Sequence, residues 1–365
     1  MKNKTQPYLF KFSLVLSIVI FTACSSESSD YVAIETSPVV LNLADVPYSK
    51  LSDYKFFAGE IKKQLPAYGV LPYKPTSELF SDYAKKNRFV WLPNGTKAIY
   101  RADGEVLDLP VGAALVKTFY YNNVQPTNTT KIIETRVMIR KTDGWIFAEY
   151  IWNEEQTDAL LQMQGSTVSI SWLDQNNEMQ LVDYKIPSEN ECMKCHAGNS
   201  EVKPIGIKPQ NLNSNYNYTS GTKNQLSKWI EFGYLENSLP ANIVSTVNYL
   251  DTTQSLDLRV RSYFDINCAH CHQDDGNASY VDIRMAFNQT SNPSKMGVCA
   301  SEVLQVPGIT HGQIVKPNDT SQSTLFYMLN TNETGFRMPR VGRTVVHREG
   351  VALVEQWINS LPDCN

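Results

Sequence analysis

The sequence predicts an α+β multidomain chain, with an N-terminal, mostly antiparallel β domain followed by an α-helical domain. Three observations lead there. Over residues 46–187, apolar and polar residues alternate with period two, in segments such as "NRFVWLP", "ALVKTFYY", "KIIETRVMIR" and "TVSISWL". Turn signals (Pro93-Asn94-Gly95, Asp103-Gly104, Asp143-Gly144) separate these segments, as in an antiparallel sandwich or barrel. Beyond residue 250 the apolar period lengthens to that of amphipathic helices.

Each element follows in order. Residues 1–23 hold a short basic segment, the apolar "FSLVLSIVIF" and the small residues of "TAC". They read as a secretory signal peptide, too short to span a bilayer. This leader resembles that of bacterial lipoproteins, cut before Cys24, which would then carry the lipid; Phe21 stands where Leu is usual. Residues 24–45 open Ser-rich and acidic and read as a tether. A helix is expected near "SELFSDYAKK", ahead of the sheet that fills 46–187. Residues 188–250 carry "NECMKCHAG" and the amphipathic "NQLSKWIEFGYL", with Leu226, Trp229, Ile230 and Tyr234 at helical spacing. In 251–365, "SLDLRVRSYFDIN" reads as a helix running into Cys268. "DTSQSTLFYML" reads as a second helix, capped by Asp319 or Ser321, and "HREGVALVEQWINSL" as a third.

The chemistry lies in the cysteines. Cys192, Cys195 and His196 form C-x-x-C-H, and Cys268, Cys271 and His272 repeat it. A redox dithiol needs only one pair, and a zinc site does not explain a histidine directly after each second cysteine. Two covalently bound c-type haems explain both, with the four thiols as attachment points and His196 and His272 as proximal iron ligands. His270, inside the second motif, reads as a surface side chain. Export agrees with this chemistry and leaves Cys299 and Cys364 as two remaining thiols. In an oxidising compartment these read as a disulfide, against two buried free cysteines.

The chain has 37 acidic and 33 basic residues, a net charge of −4. Removing the leader takes three lysines and no acid, giving −7. That balance excludes a nucleic-acid role and suits a basic patch on a protein partner.

The helix before Cys268, the intervening helix, the Met-Pro loop "GFRMPRVGR" and the last helix make residues 255–362 look like a class I cytochrome c domain. That resemblance implies Met338 as distal ligand of the second haem. The first haem's distal ligand stays open among Met138, Met163, Met179, His311 and His347, since residues 197–267 hold no Met or His. Residues 46–365 resemble an uncharacterised bacterial family of exported di-haem c-type cytochromes. The phrases "LFSDYAKKNRFVWLPNG", "LPVGAALVKTFYY", "IIETRVMIRKTDGW", "YIWNEEQTDA" and "DINCAHCH" carry it. The resemblance implies envelope redox partners, such as a quinoprotein-like dehydrogenase. The expected function is electron transfer in the cell envelope, with membrane attachment through the N-terminal lipid. The alternative is a peroxidase-type haem enzyme with an open first haem.

Overall fold

Eight strands build one antiparallel sheet in the computed structural model, which describes Met1 and residues 35–198 and 201–364. The rest of the leader, residues 2–23, and Cys24 lie outside the described residues. The strands are β1 (Leu71–Pro72), β2 (Lys85–Trp91), β3 (Ala114–Val124), β4 (Thr129–Lys141), β5 (Gly144–Trp152), β6 (Ala159–Leu161), β7 (Ser166–Leu173) and β8 (Met179–Ile186). They run β1-β2-β3-β4-β5-β6, with β7 pairing β3 and β8. Two short helices follow, α1 (Glu189–His196) and α2 (Pro209–Leu212). The hairpin β9 (Asn215–Tyr218) and β10 (Gly221–Asn224) leads into α3 (Gln225–Glu231), α4 (Leu256–Asn267), α5 (Thr324–Leu329) and α6 (Arg348–Ile358).

The period-two alternation works as expected. Val116 pairs with Phe89 and Val137, and Val137 with Ala148. This row packs under the N-terminal segment against Leu51, Tyr54 and Phe56. One residue along, Val90, Leu115, Met138 and Phe147 pair across the same strands and point to the other face. There they join Trp229, Leu226 and Leu212. The sheet is therefore buried on both sides. Val39, Leu41 and Leu43, from the segment read as tether, pack on the first face.

The expected succession of a β domain and an α-helical class I cytochrome c-like domain does not hold. The fold is mostly antiparallel sheet, and residues from Thr36 onward form one compact unit. Past residue 250, the α-helices among the described residues are α4, α5 and α6, of 12, 6 and 11 residues. The long stretch between α4 and α5 is rich in Gly, Asn, Ser and Pro, which favour turns over helix interiors. Arginine side chains hold its carbonyls instead: Arg284 donates to Val281 and Ile283, and Arg261 to Phe287. The C-terminal part is also built onto the sheet region. His347 stacks on Phe80 at 4.1 Å, and Asp82 accepts from the Thr344 and Val345 amides at 2.7 and 3.0 Å.

The helix expected at "SELFSDYAKK" is absent for the same reason. Asp82 and Tyr83 take left-handed φ values of 49° and 64°, which helices exclude. Asp82 is turned there toward the residues that precede α6. The other four helical stretches do form helices, α3 to α6. Asn224 caps α3, Ser255 caps α4, and Asp319 accepts from Gln322 N in a 3-10 turn before α5.

Candidate functional site

The first motif is itself a helix. Ser188 and Glu191 form a capping box at the start of α1, and the spacing of Cys192, Cys195 and His196 puts all three on one helical face. His196 Nδ1 donates to the Lys203 carbonyl at 2.8 Å, which orients the ring and leaves Nε2 unprotonated, with its lone pair free to ligate. The Phe147 ring meets it edge-on at 5.0 Å. Burial pushes the His196 imidazole down to about 3, so it is neutral and ready to ligate.

The second motif forms the turn after α4. Cys268 N bonds Phe264 O, and His272 N bonds Cys268 O. Gly276 closes this turn; a Cβ there would stand 2.2 Å from the Cys271 carbonyl. Burial, then the His270 charge, pushes His272 down to about 4. Its Nδ1 is buried without a hydrogen-bond partner.

The two motifs meet. Cys195 Sγ, Cys271 Sγ and a ring nitrogen of His270 lie within 4.8 Å of one another. Asn277 donates to the Lys194 carbonyl at 3.4 Å across the same junction. His270 is therefore part of the junction and not a free surface side chain, with its Nδ1 also buried and unpartnered. Cys192 and Cys268 are pushed up to about 12, each mainly by burial. Cys195 is also pushed up to about 12, first by its hydrogen bond with Cys271, and the same contact pulls the Cys271 thiol down, so Cys271 is the most readily ionised of the four.

A cavity of about 450 Å³ opens beside the junction, lined by Cys268, Cys271, His272, Met338 and Arg337. That size suits a prosthetic group. The Met338 loop is held by Arg343, which is 3% exposed. Its guanidinium donates to Met338 O at 2.9 Å, Met328 O at 3.0 Å and Thr331 O at 2.9 Å.

The candidates for the first distal ligand part company. Met179 is 60% exposed on β8. His311 lies exposed in a loop. His347 is buried, bonds Tyr263 Oη at 3.2 Å and starts α6, a structural role. Met163 Sδ accepts from Glu149 N at 3.4 Å. Met138 is the cross-strand partner of Phe147, the ring that packs on His196.

Cys299 and Cys364 form a disulfide, with Cα atoms 5.9 Å apart. The four motif cysteines are free thiols. Sequence reasoning missed a charged row beside the first motif. Arg88, Lys117, Arg136 and Glu149 pair in register across β2, β3, β4 and β5, on the face that carries Phe147. The signal was present: in "RFVWL" and "TRVMIR" these charges fall at the inward positions of the alternation.

No known protein family, curated protein or solved structure matches this chain.

Proposed function

We propose that the chain is an exported di-haem c-type electron-transfer protein of the bacterial envelope. The observation that carries this reading is the meeting of the two C-x-x-C-H motifs beside a cavity that Met338 also lines. The residues fit haem on three counts. Two thiol pairs stay free in a chain that oxidises its other two described cysteines. Both motif histidines are neutral, and a thioether lines the same cavity as His272. When bound, each haem iron cycles between ferric and ferrous states. Cys192 and Cys195 would hold one haem, with His196 as ligand. Cys268 and Cys271 would hold the other, with His272 and Met338 as ligands. A soft thioether favours the ferrous state and raises the potential. The close approach of the motifs suits the passage of electrons between the two groups. The disulfide agrees with an oxidising compartment, the basic, apolar start with export and a lipid on Cys24, and the acidic balance with a basic redox partner.

One observation favours a second reading. Cys195, His270 and Cys271 are close enough to share one soft metal ion, such as zinc. Intact mass and haem staining of the exported chain separate the two. Two covalent haems are expected. One zinc per chain without haem would overturn the reading. Rapid carbon monoxide binding to about half the ferrous haem, with peroxide turnover, would move the function to a peroxidase-type enzyme.

A further inference from the structure

Two lysines on the inward face of the sheet have no ion-pair partner among the described residues. Lys117 sits in the row between Arg88 and Arg136. Lys86 pairs with Phe119 one step along the same face. Their ammonium groups lie 4.8 and 6.0 Å from the centre of the Phe119 ring, and the Arg136 guanidinium lies at 4.4 Å. Two lysine amines and one guanidinium thus gather on one buried ring. A ring face offsets little of the cost of desolvating an ammonium group.

The carboxylates nearby are already engaged. Glu78 accepts from Arg88 at 3.2 Å and lies 2.7 Å from Lys74 Nζ. Glu134 takes two hydrogen bonds from Arg136, at 2.8 and 2.5 Å, and one from Tyr184 Oη at 2.5 Å. Glu149 is pushed up, first by burial and then by Glu134, so it brings no counter-charge at neutral pH. Burial, with the Arg88 charge next, pushes the Lys86 ammonium down to about 7 and that of Lys117 well below its ordinary range, so both amines lack the anion that would hold them charged. This anion-poor face meets the first motif. Phe147, next along the face from Glu149, packs on His196. The Lys117 and Arg136 charges reach His196, and that of Arg136 reaches Cys192.

We infer that Lys86, Lys117 and Arg136 form the seat for the two propionate carboxylates of the haem held by Cys192 and Cys195. A planar group carrying two alkyl carboxylates on one edge supplies the missing anions. Ammonium groups bind carboxylates as point charges, and the Arg136 fork adds direction. The sheet thus becomes one wall of the first haem site, which explains why a β structure precedes the motif. The inference rests on the haem reading above.

The test uses the mature, haem-loaded protein with Lys117→Gln, Lys86→Gln and Lys117→Arg variants. Haem number comes from intact mass, and both potentials come from an optical redox titration. A Cys192→Ser/Cys195→Ser variant identifies the step that belongs to the first haem. Removing a cation beside a propionate disfavours the ferrous state. Each Gln variant should keep two haems and shift the ferrous:ferric ratio of the first haem about tenfold toward ferric, equivalent to about 59 mV for one electron. Lys117→Arg should restore it. Two haems with unchanged potentials in both Gln variants, or a shift in the second haem only, would overturn the seat. Absence of haem at the first motif in the unmutated protein would overturn the haem reading itself, and this inference with it.

Discussion

Arg343 shows how one buried side chain decides where another one points. Its guanidinium gathers the Met328, Thr331 and Met338 carbonyls and so fixes the loop that brings Met338 to the cavity. Met338→Ala should abolish the weak far-red band of an iron–thioether bond while leaving the fold intact. Arg343→Ala should weaken that band and also cost about 3 kcal/mol of stability, because it strips several carbonyls of a charged donor. Absorption spectra and denaturant midpoints of the two variants check this. A full band in Met338→Ala would remove Met338 from the ligand set. Met338 stood out in the sequence as a methionine before proline in a late loop, and the structure places it on the wall of the cavity that His272 also lines. Arg343 was not, since nothing in "RVGRTVV" separates a buried arginine from a surface one. His270 was misread for a related reason: which way a side chain inside a tight turn points depends on what packs against that turn.

Among the elements, helices and strands with their own periodicity were legible, and those defined by distant partners were not. The alternation of β2 to β5 and the apolar spacing of α3, α4 and α6 arise locally, from residues a few positions apart. "SELFSDYAKK" had helical spacing, but Asp82 is drawn into bonds with Thr344 and Val345, over 260 positions away. That override needs the whole fold. The same junction at the sheet edge sets an acid dependence. Burial works against ionisation of Glu78, yet the Arg88 and Lys74 charges outweigh it and hold the carboxyl at about 2, against an ordinary 4.5. A depressed folded-state value stabilises the protein above the ordinary value and loses that contribution as pH falls toward the folded one. Thermal midpoints should therefore drop between pH 4.5 and about 2. Glu78→Gln should flatten that drop; an equally steep fall in the variant would show that other carboxylates control the acid limb.

At the scale of the whole molecule, the C-terminal part was legible as helices and misjudged as a separate unit. The sheet region packs onto the start of its last helix through Phe80, Asp82 and Tyr83, which meet His347, Thr344 and Glu349. The Cys299–Cys364 bond, 65 residues apart in sequence, ties the chain end back onto this body. Closing such a loop contributes about 4 kcal/mol at most by chain entropy. The same oxidising setting acts on the place where the motifs meet. Cys195 and Cys271 come within 4.8 Å, so a chain that finishes folding with bare thiols sets them up to oxidise to each other. A disulfide map of protein exported from cells that lack haem-attaching enzymes should show a Cys195–Cys271 bridge beside Cys299–Cys364. Free thiols at both positions would refute this. Under the proposed function an order of manufacture follows from the architecture: haem attachment has to precede this oxidation, because a Cys195–Cys271 bridge would consume one thiol of each motif.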